Sequence, residues 1–188
     1  MRCLFLTHPE VVVDPSVPVT QWHLSQRGAS RIEAFAASGA LAGFDVVISS
    51  NETKAVQAAE VIGEALGLPT GRSAGLGEND RSSTGFLAPD EFERTADEFF
   101  SFPTRSVRGW ETAAAAQSRI VGAVRSAVSK QPDGSIIFVA HGAVGTLLLC
   151  SLLRRPISRS LDQPRQGCWY AFDAGTWVTS SGWQEMPD

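Results

Sequence analysis

Apolar and polar positions along this chain switch between two periods. Leu4-Phe5-Leu6 before Thr7-His8-Pro9-Glu10, Asp45-Val46-Val47-Ile48 before Ser49-Ser50, and Ile136-Ile137-Phe138-Val139-Ala140 before His141-Gly142 are short apolar runs that stop at polar or turn-forming residues. This is the pattern of strands buried on both faces. Between them the apolar residues recur at helical spacing. Ile32, Phe35 and Ala36 mark a helix over Ala29–Ser38, closed by Gly39 and Gly43. Val56, Ala59, Ile62, Ala65 and Leu66 mark one over Glu52–Leu66, ended by Gly67 and Pro69. Ile120, Val121, Val124 and Val128 mark one over Thr112–Ser129, and further helices are expected over Pro89–Phe100 and Ala143–Leu153. Near the end, Trp169–Asp173 and Thr176–Thr179 flank Ala174-Gly175, which reads as a β-hairpin. Strands separated by helices imply an α/β fold: a three-layer α/β/α sandwich whose sheet is mostly parallel, with the hairpin adding antiparallel strands at one edge. The stretch Thr70–Ala88, rich in Gly, Ser and Asn, reads as a loop over the strand ends.

The 188 residues contain no linker, repeat or charge block that would divide them, so one domain over residues 1–188 is expected. A formal charge of -4 gives no overall attraction to nucleic acid or to an acidic membrane, and neither is expected as a partner. Cys3, Cys150 and Cys168 lie in or beside apolar runs without Cys-x-x-Cys spacing, which predicts buried thiols rather than a disulfide or zinc site. A reducing compartment follows. With no apolar segment of signal-peptide or membrane-spanning length, the cytoplasm is the expected location.

Candidate chemistry sits at two strand ends. His8 and His141 each follow an apolar run, and in an open α/β sheet ligands bind at the carboxyl edge of the strands. A lone His after a strand is more often a packed or hydrogen-bonded edge residue. Here two of only three His share one context. If their strands are parallel neighbours, both rings converge on one crevice. The third, His23, lies in a loop entering a helix and reads as a surface or packing residue.

With those segments in hand, the chain resembles the histidine phosphatase superfamily, the group that includes the phosphoglycerate mutases and many small phosphatases. Thr7-His8-Pro9-Glu10 stands where the family has Arg-His-Gly-Glu, and Val139-Ala140-His141-Gly142 matches its closing Val-x-His-Gly. Ser49-Ser50 followed by Lys54-Ala55-Val56-Gln57-Ala58-Ala59 resembles the family's Ser-Ser and Arg-Ala-x-Gln-Thr-Ala. Leu76-Gly77-Glu78 with Gly85-Phe86 resembles its Leu-x-Glu loop, and Gly109-Trp110-Glu111-Thr112 its Gly-Glu-Ser. The resemblance implies a phosphomonoester hydrolase acting through a phosphohistidine on a small phosphorylated substrate. His8 is then the nucleophile, His141, if protonated, a donor to the phosphate, and Glu78 the proton donor. Lys54, Thr7, Ser50 and Glu10 are the implied phosphate-binding residues, and no metal or cofactor is required. The expected ligand is a small phosphorylated molecule or inorganic phosphate.

The chain departs from that pattern where charge matters most. Thr7 replaces an Arg fork with one neutral hydroxyl, and Lys54 keeps a charge without bidentate geometry. A hydrogen bond to a charged group contributes about 1.5–3 kcal/mol, so phosphate binding is expected to weaken by a hundredfold or so unless another cation compensates. Arg72, Arg81, Arg105 and Arg108 lie in or near the covering loops, and sequence does not choose among them. Mutase activity is the less favoured outcome. Two further readings stay open: a catalytically impaired member that binds a phosphorylated ligand or protein without turnover, and a pair of structural His with the site elsewhere in the crevice.

Overall fold

A computed structural model describes residues 1–179 and 181–187. Its centre is one sheet of seven strands: β1 (Arg2–Thr7), β2 (Val46–Ser49), β3 (Thr70–Arg72), β4 (Ile136–Ala140), β5 (Cys168–Asp173), β6 (Val178–Thr179) and β7 (Gln184–Glu185). The spatial order is β3-β2-β4-β1-β5-β6, with β7 also paired to β5. The first four strands in that order run parallel, and β5 turns the sheet antiparallel against β1, β6 and β7. The sheet is therefore mixed, a parallel body with antiparallel C-terminal strands at one edge, as the strand and helix alternation leads one to expect. The three parallel strand pairings demand helical crossovers, and β6 returns along β5 by a turn.

Five α-helices cover it: α1 (Gln26–Ala37), α2 (Thr53–Leu66), α3 (Pro89–Ser101), α4 (Ala113–Lys130) and α5 (Gly142–Leu152). Their ends follow local chemistry. The Ser25 side chain accepts from Gly28 N–H and starts α1 three residues before the first expected position, and Thr112 caps α4 through Ala115 N–H. Gly67, at φ 65°, ends α2 in the left-handed conformation that a residue without Cβ adopts freely.

Strand alternation divides the core in two. Leu4, Leu6, Val47, Ile137 and Val139 face α1 and α2, where Ile32, Phe35, Ala58 and Ile62 complete one apolar layer. Cys3, Phe5, Ile136, Phe138, Tyr170 and Phe172 face the other way, against Phe99 and Phe100 of α3, Ile120 and Val124 of α4, and Leu147 and Leu148 of α5. All three thiols are buried and unpaired by disulfides. Trp177 and Trp183 pack on the second layer and Trp169 on the first, as edges of the core.

The expected hairpin forms, with a longer turn. β5 and β6 pair Phe172 with Thr179, while Thr176 and Trp177 belong to the connection, where the Asp173 carboxylate accepts from Thr176 N–H. Thr70–Arg72, expected as loop, is an edge strand against β2, and Gln184–Glu185 is a further short strand. Among the described residues no helix is long and apolar enough to cross a membrane.

Candidate active site

The register of the sheet brings the two His together. β1 and β4 are adjacent and parallel, with Leu4 beside Ile137, Leu6 beside Val139 and Thr7 beside Ala140. One residue further on, each chain leaves the sheet at an imidazole on the same side as Leu4, Leu6, Ile137 and Val139. The His8 and His141 rings lie with centroids 5.2 Å apart at an interplanar angle of 65°. His8 N–H donates to Ala140 O and Gly167 N–H donates to His8 O, which fixes the backbone on both sides.

The hydrogen bonds of His8 settle its tautomer. Its Nδ1 is 2.9 Å from Pro9 O, and a carbonyl can only accept, so Nδ1 carries the proton and Nε2 keeps its lone pair. Burial, followed by the nearby His141 and Lys54, lowers the pKa of His8 to about 3. The ring is therefore neutral throughout the physiological range. His141 is fully buried at the N-cap of α5, and burial together with Lys54, Arg81 and Arg119 holds it well below the ordinary imidazole value. Protonation, the condition on which His141 is expected to donate a charge-assisted hydrogen bond to phosphate, is disfavoured for that reason.

Glu78 meets the first turn of α5. Its carboxylate accepts from Ala143 N–H and Val144 N–H at 3.2 and 3.1 Å, at the helix end where backbone donors are unspent. Burial nonetheless raises its pKa above the usual carboxylate value, with Arg81 opposing. The loop carrying it is braced by Arg119, which donates to the carbonyls of Gly75, Gly77 and Glu78 and is paired with Glu111.

Lys54 is buried, at 4% exposure, rather than a solvated helix-start charge. Its Nζ donates to Val19 O at 2.9 Å and to Glu52 Oε2 at 2.5 Å. Glu52, 8% exposed at the N-cap of α2, was readable in the sequence only as a helix-start acid. Its other oxygen lies 3.2 Å from His141 Nε2 and accepts from Glu78 N–H at 2.8 Å. Glu52 therefore gathers Lys54, His141 and a backbone amide onto one carboxylate. An acid two residues before a Lys at a strand-to-helix turn is the sequence signal that could have marked it. Ser50 Oγ lies 2.8 Å from the same His141 nitrogen and accepts from Glu52 N–H.

Thr7 and Glu10 are set apart from this group. Strand alternation turns Thr7 to the opposite face from His8, where its hydroxyl, 1% exposed, donates to Gln163 Oε1 and accepts from Cys168 N–H. Glu10 accepts from Arg31 Nη1 at 2.8 Å. Arg31 is buried and also donates to the carbonyls of Gln166, Gly167, Met186 and Pro187, so the pair fastens the turn after His8 to the C-terminal segment. His23 is exposed and meets Gln57, as a surface residue.

His8, Lys54, Glu78, Asn79 and Arg81 line two adjoining cavities of about 410 and 550 Å³. The larger reaches His141 and Glu52. The smaller runs outward between an aromatic wall that includes Trp22, Phe92 and Trp110 and a polar wall that includes Arg159 and Gln163. Among the described residues no group of three or more His, Cys, Asp or Glu is placed to hold a metal ion.

The sequence model of the histidine phosphatase superfamily (branch 1) matches residues 17–178. This chain belongs to that superfamily. The match begins after the Thr7-His8-Pro9-Glu10 segment, where the departure from the family's opening motif lies. No curated protein sequence matches the chain. Solved structures do. A mycobacterial glucosyl-3-phosphoglycerate phosphatase in complex with inorganic phosphate is 20% identical, with 97% of this chain and 94% of that one covered at a TM-score of 0.76. A mutant phosphoserine phosphatase from Entamoeba histolytica in complex with phosphoserine is 15% identical, with 96% and 95% covered at 0.77. YhfR from Bacillus stearothermophilus is 17% identical, with 95% of each chain covered at 0.76. At these identities the likeness establishes the fold.

Proposed function

We propose that this protein hydrolyses a small phosphate monoester through a phosphohistidine formed on His8. The observation that carries the reading is the His8 tautomer: the Pro9 carbonyl holds the Nδ1 proton and leaves the Nε2 lone pair beside His141 and Glu78 on one cavity wall. A neutral imidazole fixed in that form needs no deprotonation before attack. Nε2 attacks phosphorus, the bond to the leaving-group oxygen breaks, and that oxygen takes the proton of Glu78. Water then gives a proton to the Glu78 carboxylate and attacks phosphorus. The N–P bond breaks, Nε2 recovers its lone pair, and inorganic phosphate leaves. The raised pKa of Glu78 supports the acid role, because a carboxyl must hold its proton to deliver it. Lys54 supplies positive potential beside the phosphoryl position, reduced by Glu52, and His141 lines the same cavity as a neutral ring.

One observation favours a second reading, phosphate-ester binding without turnover. The donors of Lys54 and His141 that would stabilise charge in the transition state already end on Glu52. Both readings are tested by incubating wild type and His8→Ala with a general phosphomonoester and a panel of phosphorylated metabolites, following phosphate release and intact mass. Turnover that disappears in His8→Ala, with a transient one-phosphoryl adduct in wild type, is the expected result. Binding of the esters without release of phosphate by wild type would replace the first reading with the second. Release that survives His8→Ala would place the chemistry elsewhere in the crevice.

A further inference from the structure

Most donors near His8 are already spent. Thr7 ends on Gln163 and Cys168, and Lys54 and His141 end on Glu52. Of the four loop arginines, three are held at the surface by acids: Arg72 by Glu60, Arg105 by Glu98 and Arg108 by Glu91. Arg81 differs. It is half-buried, lines both cavities with His8 and Glu78, and forms no ion pair among the described residues. Its guanidinium is held over the Phe92 ring, 4.9 Å from the centroid, a contact that orients the plane and leaves its edge donors unspent.

Two residues away, Asn79 is 5% exposed and lines the same two cavities, yet its Nδ2 has no hydrogen-bond partner among the described residues. A buried amide left unpaired is costly and calls for a ligand that completes it. The segment presenting both residues is rigidly tied: Glu111 N–H donates to Asp80 O, the Glu111 carboxylate accepts from Asp80 N–H, and Arg119 holds the Glu78 carbonyl.

We propose that Asn79 and Arg81 form the clamp that grips the phosphate oxygens of the substrate, in place of the Arg that position 7 lacks. The inference rests on the hydrolase reading for the nature of the ligand. The amide supplies a donor at the cavity wall, and the guanidinium supplies a planar pair suited to two oxygens of one phosphoryl group. Both lie on the loop that carries Glu78, so the residues that grip the phosphate and the residue that protonates the leaving group move as one body.

The clamp is tested by titrating inorganic phosphate, and separately orthovanadate, into wild type, Arg81→Ala, Arg81→Lys, Asn79→Ala and the surface control Arg72→Ala, with heat and melting temperature as readouts. We expect Arg81→Ala to weaken phosphate binding by about ten- to a hundredfold and Asn79→Ala by about tenfold, the range for hydrogen bonds to a charged group. Arg81→Lys should recover part of the loss, and Arg72→Ala should match wild type. In turnover, KM should rise more than kcat falls for both clamp positions. Folded Arg81→Ala and Asn79→Ala proteins that bind phosphate as wild type does would overturn the clamp and leave the hydrolase reading intact. Wild type that binds phosphate and loses it in these variants, but never turns over an ester, would uphold the clamp while the hydrolase reading falls. Wild type that neither binds phosphate nor releases it would remove both.

Discussion

Replacing Glu52 with Gln should make the empty protein less stable and its grip on phosphate tighter. The Glu52 carboxylate meets Lys54 Nζ at 2.5 Å, Glu78 N–H at 2.8 Å and His141 Nε2 at 3.2 Å, with side-chain exposures of 9% for Glu52 and 5% for Lys54. Gln keeps the shape and one acceptor oxygen but leaves Lys54 without its counter-charge. Removing one member of a buried ion pair costs about 3–5 kcal/mol, roughly 6–20 °C in melting temperature for a chain of this size. A phosphate anion in the adjoining cavity can then supply the counter-charge to Lys54 that the carboxylate gave. One charge-assisted hydrogen bond of about 1.5–3 kcal/mol corresponds to a roughly ten- to 150-fold lower Kd. Thermal denaturation of both proteins across a phosphate titration reads the two effects together: Glu52→Gln should melt lower without phosphate and gain more with it. An unchanged phosphate affinity in Glu52→Gln, with or without the stability loss, would refute the reasoning that the Glu52 charge competes with the anion for Lys54.

The remaining predictions concern pH and the supports of the site. Because His8 titrates at about 3, kcat/KM should show no acidic limb from the nucleophile until pH approaches that value. On the alkaline side it should fall as the raised Glu78 pKa is passed, and Glu78→Gln should remove that limb along with most activity. The sign for stability follows from the same shift. A carboxyl raised in the folded state contributes stability below its unfolded pKa and loses it as pH rises through the folded value, so a plot of melting temperature against pH should fall less for Glu78→Gln than for wild type. Arg31→Leu strips the buried partner from Glu10 and four carbonyls at once, and a loss of about 3–5 kcal/mol is expected in chemical denaturation. A Cβ on Gly28 would lie 2.1 Å from Glu10 O. Gly28→Ala should therefore displace the turn after His8, costing about 1–3 kcal/mol by overpacking, with a fall in kcat that Gly122→Ala, in open space, does not reproduce.

What the sequence disclosed follows from how each signal is written. Uninterrupted runs such as Ile136–Ala140 are buried on both faces, so they declare a central strand by composition alone, and the two His at such strand ends declare the crevice. Parity then fixes their shared face. The same parity turns Thr7 away from the crevice, a consequence available from strand alternation but hidden when the family motif is compared residue for residue. β3 and β7 were not legible because Thr-Gly-Arg and Gln-Glu have no apolar face, and only pairing to β2 and β5 makes them strands. Glu52 and Asn79 were missed for a related reason. An acid at a helix start and an amide in a polar loop are ordinary at the surface, and their meaning comes from burial, which is decided by residues distant in the chain.

The departures from the family's charged positions make sense as a set. Thr7 is committed to Gln163 and Cys168, on the other face of β1 from His8. With Thr there, the turn after His8 is closed instead by Pro9 and by the Arg31–Glu10 pair, which fixes the imidazole without any ligand present. Lys54 can be buried at that spot because Glu52 compensates it, and that compensation leaves the cradle nearly neutral. A dianionic phosphate entering a neutral cradle needs positive charge from another direction, and Arg81, over Phe92 on the Glu78 loop, supplies it from the solvent side. The positive charge has thus moved from the sheet edge to the covering loop. On the proposed reading, binding then depends on the loop that carries Glu78 rather than on the strand that ends at His8.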